Sequence, residues 1–200
     1  MSQLDPGTDI GRPRNPETER IVVDAVLNLL SGGATLTSLS LVTIARDAGV
    51  SRNSLYRRWK TKDDLYLDVV KSIDHSLPDF TEHSARESLV KLMTVTLERI
   101  ADPRVRRLAR SILAEDQNFP NLYELFVDAV IAPLYDAMKS TIRRAKQTGE
   151  IRVDVDESLF VELLVSSVFA RMSSSDASEL DPESSSRRVV DLLFSGVSPN

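Results

Sequence analysis

The chain has 200 residues, no cysteine and a net charge of −5. The lack of cysteine excludes a disulfide framework, a thiol nucleophile and a cysteine-based zinc cluster. There is no apolar run of about 18 residues and no signal-peptide pattern, so we expect a cytoplasmic protein of one or two domains.

Residues 1–15 are predicted to form a flexible basic arm, because the segment is polar and rich in residues that disfavour regular structure. Near its end lies the sequence Gly-Arg-Pro-Arg, in which the fixed φ angle of Pro13 favours an extended backbone. An extended arm that carries Arg12 and Arg14 suits insertion into a narrow, A·T-rich minor groove. A merely basic, flexible tail is the alternative.

Two helices are predicted in the region that follows the arm. The first begins near Pro16, carries an apolar stripe with helical spacing and ends at a Gly-Gly pair. Ser40 is a good N-cap for the second helix, which ends near Ala48. Gly49 supplies the left-handed backbone that ends such a helix and allows the chain to turn.

A third helix is predicted from about Arg52 to Lys60, with Ser51 as its N-cap. Leu55 and Trp59 lie one turn apart and must face the core, which leaves the basic face outside. Arg and Asn side chains recognise guanine and adenine edges in the major groove, whereas Ser, Tyr and Lys more often bind phosphates. The outward face holds Asn53, Arg57 and Lys60, with Arg52 at the helix start and Ser54 and Tyr56 beside them.

Charge is distributed unevenly along the chain. Residues 10–62 contain nine basic and four acidic residues, a balance of +5, so the rest of the chain carries −10. A basic segment in an otherwise acidic protein gives the molecule one face that attracts the phosphates of nucleic acid, while the rest repels them. A solvated helix pair in an all-α protein is the alternative, but the turn glycine, the capped third helix and its basic face together favour DNA contact.

Three short motifs support a family resemblance. They are Ile-Ala-Arg-Asp-Ala-Gly-Val-Ser at 44–51, Leu-Tyr-Arg-Arg-Trp at 55–59 and Lys-Asp-Asp-Leu at 62–65. Together they closely resemble the DNA-binding domain of TetR-family transcriptional regulators, over roughly residues 16–70. Trp59 stands where the commonest family pattern has Phe and preserves the aromatic plug.

The resemblance implies a homodimeric, usually repressing regulator whose C-terminal domain binds a small molecule. It also implies that Tyr56 and Lys62 clamp phosphates, while Thr43 and residues 52–57 meet the groove. The full set predicted to contact double-stranded DNA is Arg12, Arg14, Thr43, Ser51, Arg52, Asn53, Ser54, Tyr56, Arg57, Lys60 and Lys62.

The sequence divides into a helix-turn-helix DNA-binding domain at 16–62 and a helical ligand-binding and dimerisation domain at 63–200. The second part shows no convincing strand alternation, and Pro133 predicts a kink or break at 130–132. The fold class is therefore all-α with about nine helices. After the first three, helices are predicted at about 62–77, 84–101, 104–116, 122–148, 157–172 and 182–194.

The last two predicted helices carry excess apolar surface. The helix at 157–172 is apolar nearly all round, and Asp154 and Glu157 resemble a capping box at its start. Pairing both helices with their copies across a two-fold axis would form a four-helix bundle and hence a homodimer. Burial within one chain is the alternative. A dimer would place two recognition helices about 34–36 Å apart, the spacing of a palindromic operator.

A small-molecule effector is expected among the helices of residues 84–172, where it would tilt the linking helix at 62–77. The absence of obvious buried charges favours a largely apolar ligand. Adaptable, aromatic or weakly polar side chains are candidates for the pocket wall, with ordinary core packing as the alternative. They are Met93, Thr96, Leu97, Leu113, Tyr123, Phe126, Tyr135, Phe169 and Met172.

An enzyme is not expected, and neither is a metal or cofactor. His75 and His83 lack further converging ligands, no glycine-rich phosphate loop occurs, and Glu115 and Asp116 are predicted to be solvated. The favoured function is a transcriptional repressor released from its operator by an apolar ligand. One alternative is a DNA-bound architectural or scaffold protein with a protein partner and no small ligand. The other is a helical enzyme or carrier with a vestigial DNA-binding domain.

Overall fold

The computed structural model describes residues 16–73, 75–173 and 181–197. These ranges contain helices and no strand, as expected for an all-α protein, and Arg12 and Arg14 lie outside them. Across the same ranges, no helix combines the length with the apolar composition that crossing a bilayer requires. The helices are α1 (Pro16–Ser31), α2 (Leu41–Asp47), α3 (Arg52–Arg58), α4 (Lys62–Lys71), α5 (Ala85–Ala101), α6 (Pro103–Ala114), α7 (Pro120–Phe126), α8 (Ala132–Gln147), α9 (Glu157–Ser173) and α10 (Pro182–Val197).

Helices α1 to α3 form a small unit, in which local capping and turn residues determine where α2 and α3 begin and how the chain turns between them. The Ser40 side chain accepts a hydrogen bond from the backbone N–H of Thr43 and caps α2. The Ser51 side chain accepts one from the backbone N–H of Ser54 and caps α3. Between the two helices, Gly49 has a φ of 65°, a conformation that side chains disfavour. Both caps and the glycine turn agree with the sequence prediction.

Helix α4 ends at Lys71, well short of its predicted end. The Ser72 hydroxyl donates to the Val69 carbonyl at 2.7 Å, and His75 Nε2 lies 2.9 Å from the Val70 carbonyl oxygen. These side chains engage carbonyls that a continuing helix would use. The chain therefore leaves the helix before the proline that the prediction took as its stop.

Two apolar cores lie on either side of α6. The first combines α1 to α4 with Leu108 and Ile112 of α6 and with Phe119, which precedes α7. The second is formed by α5, α8, α9 and α10. Because α1 also packs on α6 and α4 packs on α7, helix packing joins the DNA-binding domain to the rest of the chain. Apolar contact continues across the predicted boundary between residues 62 and 63.

The long helix predicted at 122–148 is interrupted, but by a π-helical segment at Val127–Ile131 rather than by a break. Pro133 lies in the first turn of α8 and has no backbone N–H to donate to the preceding turn. The wider π-helical turn accommodates the missing hydrogen bond, so the helix continues through this segment. Counted as one interrupted helix, α7, this segment and α8 bring the described part of the chain to the nine helices expected.

Asp156 caps α9, so the predicted capping box with Asp154 was wrong. One Asp156 oxygen accepts hydrogen bonds from the backbone N–H groups of Ser158 and Leu159, at 2.8 and 3.1 Å. Asp154 pairs with Arg152 at 3.2 Å instead. Two aspartates lie close to the helix start, and spacing alone does not decide which of them adopts the cap conformation.

Candidate nucleic-acid interface and cavity

Helix α3 presents its apolar side to the core and its basic side to solvent. Leu55 and Trp59 are 1% and 2% exposed, so both side chains point inward as predicted. Arg52, Asn53 and Arg57 are exposed, and no described residue forms a hydrogen bond or an ion pair with their side chains. The other predicted DNA contacts in and beside α3 are exposed or half-buried: Ser51, Ser54, Tyr56 and Lys60.

Trp59 ends α3 and anchors it to α4. Its backbone is extended, so the helix stops at Arg58 and the predicted extension to Lys60 was wrong. The chain turns here because Thr61 caps α4 in a reciprocal capping box, a local signal that the sequence analysis missed. The indole Nε1 of Trp59 donates to the Asp68 carboxylate on α4 at 2.9 Å. The recognition helix is therefore tied to α4 by burial and by a hydrogen bond.

Three residues predicted to contact DNA already have side-chain partners within the protein. One is Ser51, which caps α3. Thr43 Oγ1 lies 2.9 Å from Ser40 Oγ. Lys62 Nζ donates to the carbonyl oxygens of Leu36 and Thr37, at 3.3 and 2.9 Å. The ammonium group thus holds the turn between α1 and α2 with two of its three donors. A phosphate contact by Lys62 stays a prediction, one that must use the remaining donor.

Glu115, which follows the end of α6, binds the same turn. Its two carboxylate oxygens accept hydrogen bonds from the backbone N–H groups of Leu36 and Thr37, both at 2.8 Å. The predicted solvated carboxylate was therefore wrong, because its partners lie 78 and 79 residues away in sequence. Burial favours the neutral carboxyl, but these hydrogen bonds and the charge of Lys62 outweigh it and lower the pKa of Glu115.

Tyr66 adds a third side chain to this turn. It is fully buried, and its hydroxyl donates to the Leu36 carbonyl at 2.8 Å. Burial, helped by the negative charge of Glu115, raises the pKa of Tyr66, so the hydroxyl remains a donor. Its ring meets that of Phe119 edge to face, with 5.5 Å between centroids. Glu115, Lys62 and Tyr66 form what we call the turn clamp.

A cavity of about 110 Å³ lies among α5, α6, α8 and α9, beside the end of α4. Three residues predicted to line a pocket do not reach it. Met93 and Leu97 are buried in the second core, and Tyr123 packs against the first, because helical spacing alone did not show which neighbour each would meet. The predicted residues that do line the cavity are Thr96, Leu113, Phe126, Tyr135, Phe169 and Met172.

The cavity wall is apolar apart from a few side chains, and one of them is charged. Arg99 lines the cavity, and its guanidinium donates to the backbone carbonyls of His75 and Ser76. Arg99 is therefore a charged residue of the cavity wall that the sequence analysis missed. No described residue that lines the cavity carries a carboxylate. Elsewhere in the described ranges, no group of three or more histidine or acidic residues is placed to hold a metal ion.

Helices α9 and α10 expose large apolar side chains. Leu159, Leu163 and Phe169 on α9 are 54%, 48% and 39% exposed, and Leu192 on α10 is 74% exposed. Large apolar side chains concentrated on two neighbouring helices are typical of a protein interface. Because Phe169 also lines the cavity, this apolar surface and the cavity share a side chain.

Two family models match the chain. Residues 36–69 match the one described as bacterial regulatory proteins, tetR family, and residues 78–193 match the one described as tetracyclin repressor-like, C-terminal domain. A Haemophilus influenzae protein named as an uncharacterized HTH-type transcriptional regulator is 41% identical over 54 residues, which are 27% of this chain and 26% of that protein. Bacillus subtilis YdeS, named in the same way, is 23% identical over 163 residues, or 81% of each chain.

Solved structures share the whole fold at low identity. The structure of MexZ, described as a key repressor responsible for antibiotic resistance in Pseudomonas aeruginosa, has a TM-score of 0.76 and 18% identity, covering 93% of this chain and 97% of that one. Salmonella enterica GusR has a TM-score of 0.65 and 20% identity, covering 94% and 98%. Both parts of the chain, and their arrangement, therefore recur in these proteins.

Proposed function

The chain belongs to the TetR family of bacterial transcriptional regulators, and we propose that it is a homodimeric cytoplasmic repressor that a small molecule releases from a palindromic operator. The observation that carries this proposal is the exposed polar face of α3, backed by the buried Leu55 and Trp59. A rigidly supported helix with an unpaired basic face is the element that enters a major groove in helix-turn-helix proteins.

The contacts with DNA divide by chemistry. Arg52, Asn53 and Arg57 are exposed on α3 and have the donor geometry for base edges. Ser54, Tyr56 and Lys60, together with Ser51 at the start of α3, are assigned to the sugar–phosphate backbone, which fixes orientation. Thr43 is assigned to the groove. Arg12 and Arg14 are proposed to follow the minor groove.

The dimer interface is proposed on the apolar surface of α9 and α10. Leu159 and Leu163 lie one helical turn apart, so they form a stripe that a copy of α9 can cover. An isologous contact of this kind buries the stripe and places two copies of α3 on one side of the dimer. Two recognition helices read successive major grooves, which a single short helix does not achieve.

The route from ligand to DNA is proposed to pass through α6. Its residues Val105, Leu108 and Ala109 line the cavity, and Leu108 also belongs to the core of the DNA-binding domain. Glu115 at the end of the same helix holds the turn before α2. A ligand that binds more tightly when α6 is in one of two positions favours that position and the arrangement of the DNA-binding domains that goes with it. The size of the shift is set by the difference between the two ligand affinities.

Selection of genomic fragments bound by the full-length protein, followed by fluorescence anisotropy on the recovered site, tests this proposal. A regulator recovers few sites with a two-fold repeat, whereas an architectural protein recovers many unrelated ones. Arg57→Ala is expected to weaken operator binding by about 1–3 kcal/mol, because a paired contact to a base is lost. Arg110→Ala is the matched control, since Arg110 is an exposed arginine on α6, outside the recognition helix.

The same measurement contains the result that would contradict the site. If Arg57→Ala and Arg110→Ala bind the operator equally tightly, α3 does not read the sequence. If the intact protein recovers no preferred site, the repressor function is rejected. Screening metabolites for release of the recovered fragment then tests the ligand part of the proposal separately.

A further inference from the structure

The cavity carries a single kind of charge. Of its lining residues, most are aliphatic or aromatic, and the polar ones are His75, Thr96, Arg99 and Tyr135. Only Arg99 is permanently charged. Because no described lining residue is acidic, a molecule in the cavity meets the positive charge of Arg99 and no carboxylate that would neutralise it.

The Arg99 guanidinium is held but not neutralised. Nη1 donates to the His75 carbonyl at 3.4 Å, and Nη2 donates to the Ser76 carbonyl. A guanidinium has five N–H donors, so these two bonds leave donors unused. No described carboxylate pairs with Arg99, whose side chain is half-buried. A partly desolvated cation without a counter-ion favours an anion that enters beside it.

We propose that the cavity binds an organic anion, with its carboxylate on Arg99 and an apolar body against the surrounding helices. Arginine matches a carboxylate better than any other side chain, because two parallel N–H donors meet two oxygens. A cavity of about 110 Å³ is smaller than the roughly 150 Å³ that holds benzene, so it encloses about five or six non-hydrogen atoms of a ligand. Because the cavity is partly open, the rest of a longer chain extends out of it.

The position of Arg99 gives such an anion a regulatory effect, which rests on the proposed function of the protein. The carbonyls that Arg99 holds belong to residues 75 and 76, in the connection between α4 and α5. His75 in turn contacts the last turn of α4 through Val70. A carboxylate that pairs bidentately with Nη1 and Nη2 draws both nitrogens away from these carbonyls, so ligand binding loosens the connection beside the DNA-binding domain.

Calorimetric titration of the full-length dimer with octanoate and octanamide tests the anion site. The two compounds have the same apolar chain and about the same size, and only octanoate is charged. We expect octanoate to bind at least about tenfold more tightly, because a hydrogen bond to a charged group is worth more than one to a neutral group.

Two variants assign the preference to Arg99. Arg99→Gln keeps a donor for the connecting segment but removes the charge, so octanoate and octanamide should bind within about twofold of each other. Arg99→Lys keeps the charge without the fork and should retain part of the preference. Circular dichroism and the fluorescence of Trp59, the single tryptophan, confirm that each variant is folded.

The outcomes separate the anion site from the proposed function. Equal binding of the two compounds by the wild-type protein, binding of neither below about 1 mM, or a preference that survives Arg99→Gln would each overturn the anion site. Selective octanoate binding supports it even in a protein that recovers no operator, a result that would reject only the repressor function. Anisotropy with the operator fragment then measures release: unchanged DNA affinity in saturating octanoate would overturn the regulatory step.

Discussion

Replacing Glu115 with glutamine tests how firmly α6 holds the DNA-binding domain. The carboxylate accepts the backbone N–H groups of Leu36 and Thr37, both at 2.8 Å. Glutamine has the same shape but only one acceptor oxygen, so its NH₂ group must face one of these two donors. One hydrogen bond is therefore lost, and the other loses the strength that the charge gave it.

The size of the effect follows from the surroundings of the two donors. The bond from Leu36 is partly buried, whereas the bond from Thr37 is exposed, and water can replace it. A hydrogen bond to a charged group contributes about 1.5–3 kcal/mol, and the exposed bond contributes less. We expect Glu115→Gln to lower the free energy of unfolding by about 2 kcal/mol at pH 7.

The effect should depend on pH in one direction. The pKa of Glu115 in the folded protein lies below its ordinary value of 4.5. A carboxyl of this kind stabilises the fold at pH values above its unfolded pKa, and the contribution is lost as the pH falls through the folded pKa. The difference between wild type and Glu115→Gln is therefore complete at pH 7 and shrinks below pH 4.5.

Urea unfolding monitored by Trp59 fluorescence measures this difference at pH 7 and in acid. Asp116→Asn is the matched control, because Asp116 is exposed and accepts a hydrogen bond from the backbone N–H of the adjacent Gln117. That substitution should change stability by no more than about 0.5 kcal/mol. Equal stabilities of the two variants at pH 7, or a loss for Glu115→Gln that persists unchanged in acid, would refute the role given to the carboxylate.

Two further predictions concern DNA contact and assembly. Lys62 is predicted to contact one phosphate, so Lys62→Met should weaken binding to all DNA sequences alike and reduce the slope of log affinity against log salt concentration by about 0.9. An unchanged slope would show that Lys62 acts only in the turn clamp. Leu163→Glu should convert the dimer to monomer in sedimentation velocity, because it places a charge on the apolar stripe of α9. The control Val153→Glu lies at a position that is 80% exposed and outside both helices, so this variant should remain a dimer. A dimeric Leu163→Glu protein would place the interface elsewhere.

The parts of the site that the sequence predicted correctly depend on local patterns. Ser40, Gly49 and Ser51 act on residues within one turn of themselves, and the spacing of Leu55 and Trp59 sets the buried side of α3. These relations require only the periodicity and capping rules of a helix. The orientation of the recognition helix could therefore be predicted before its surroundings were known.

The missed parts depend on contacts between distant segments. Glu115 directly follows α6 and Arg99 lies on α5, in positions where charged residues are usually solvated, and each binds backbone from another part of the chain. Helical periodicity gives the side of the helix but not the neighbour opposite it. The same limit explains Met93 and Leu97, which face the second core rather than the cavity.

Helix α6 has little freedom to move without affecting both the first core and the cavity. Leu108 packs in the first core and also lines the cavity, and Ile112 lies one turn further along in the same core. Close-packed interiors respond to displacement by changing to another packing rather than by stretching. A ligand that displaces α6 at Leu108 therefore acts on α1 directly and on the turn before α2 through Glu115. If that is the route, Glu115→Gln should reduce the effect of ligand on DNA affinity more than it reduces ligand binding itself, because the residue lies outside the cavity wall.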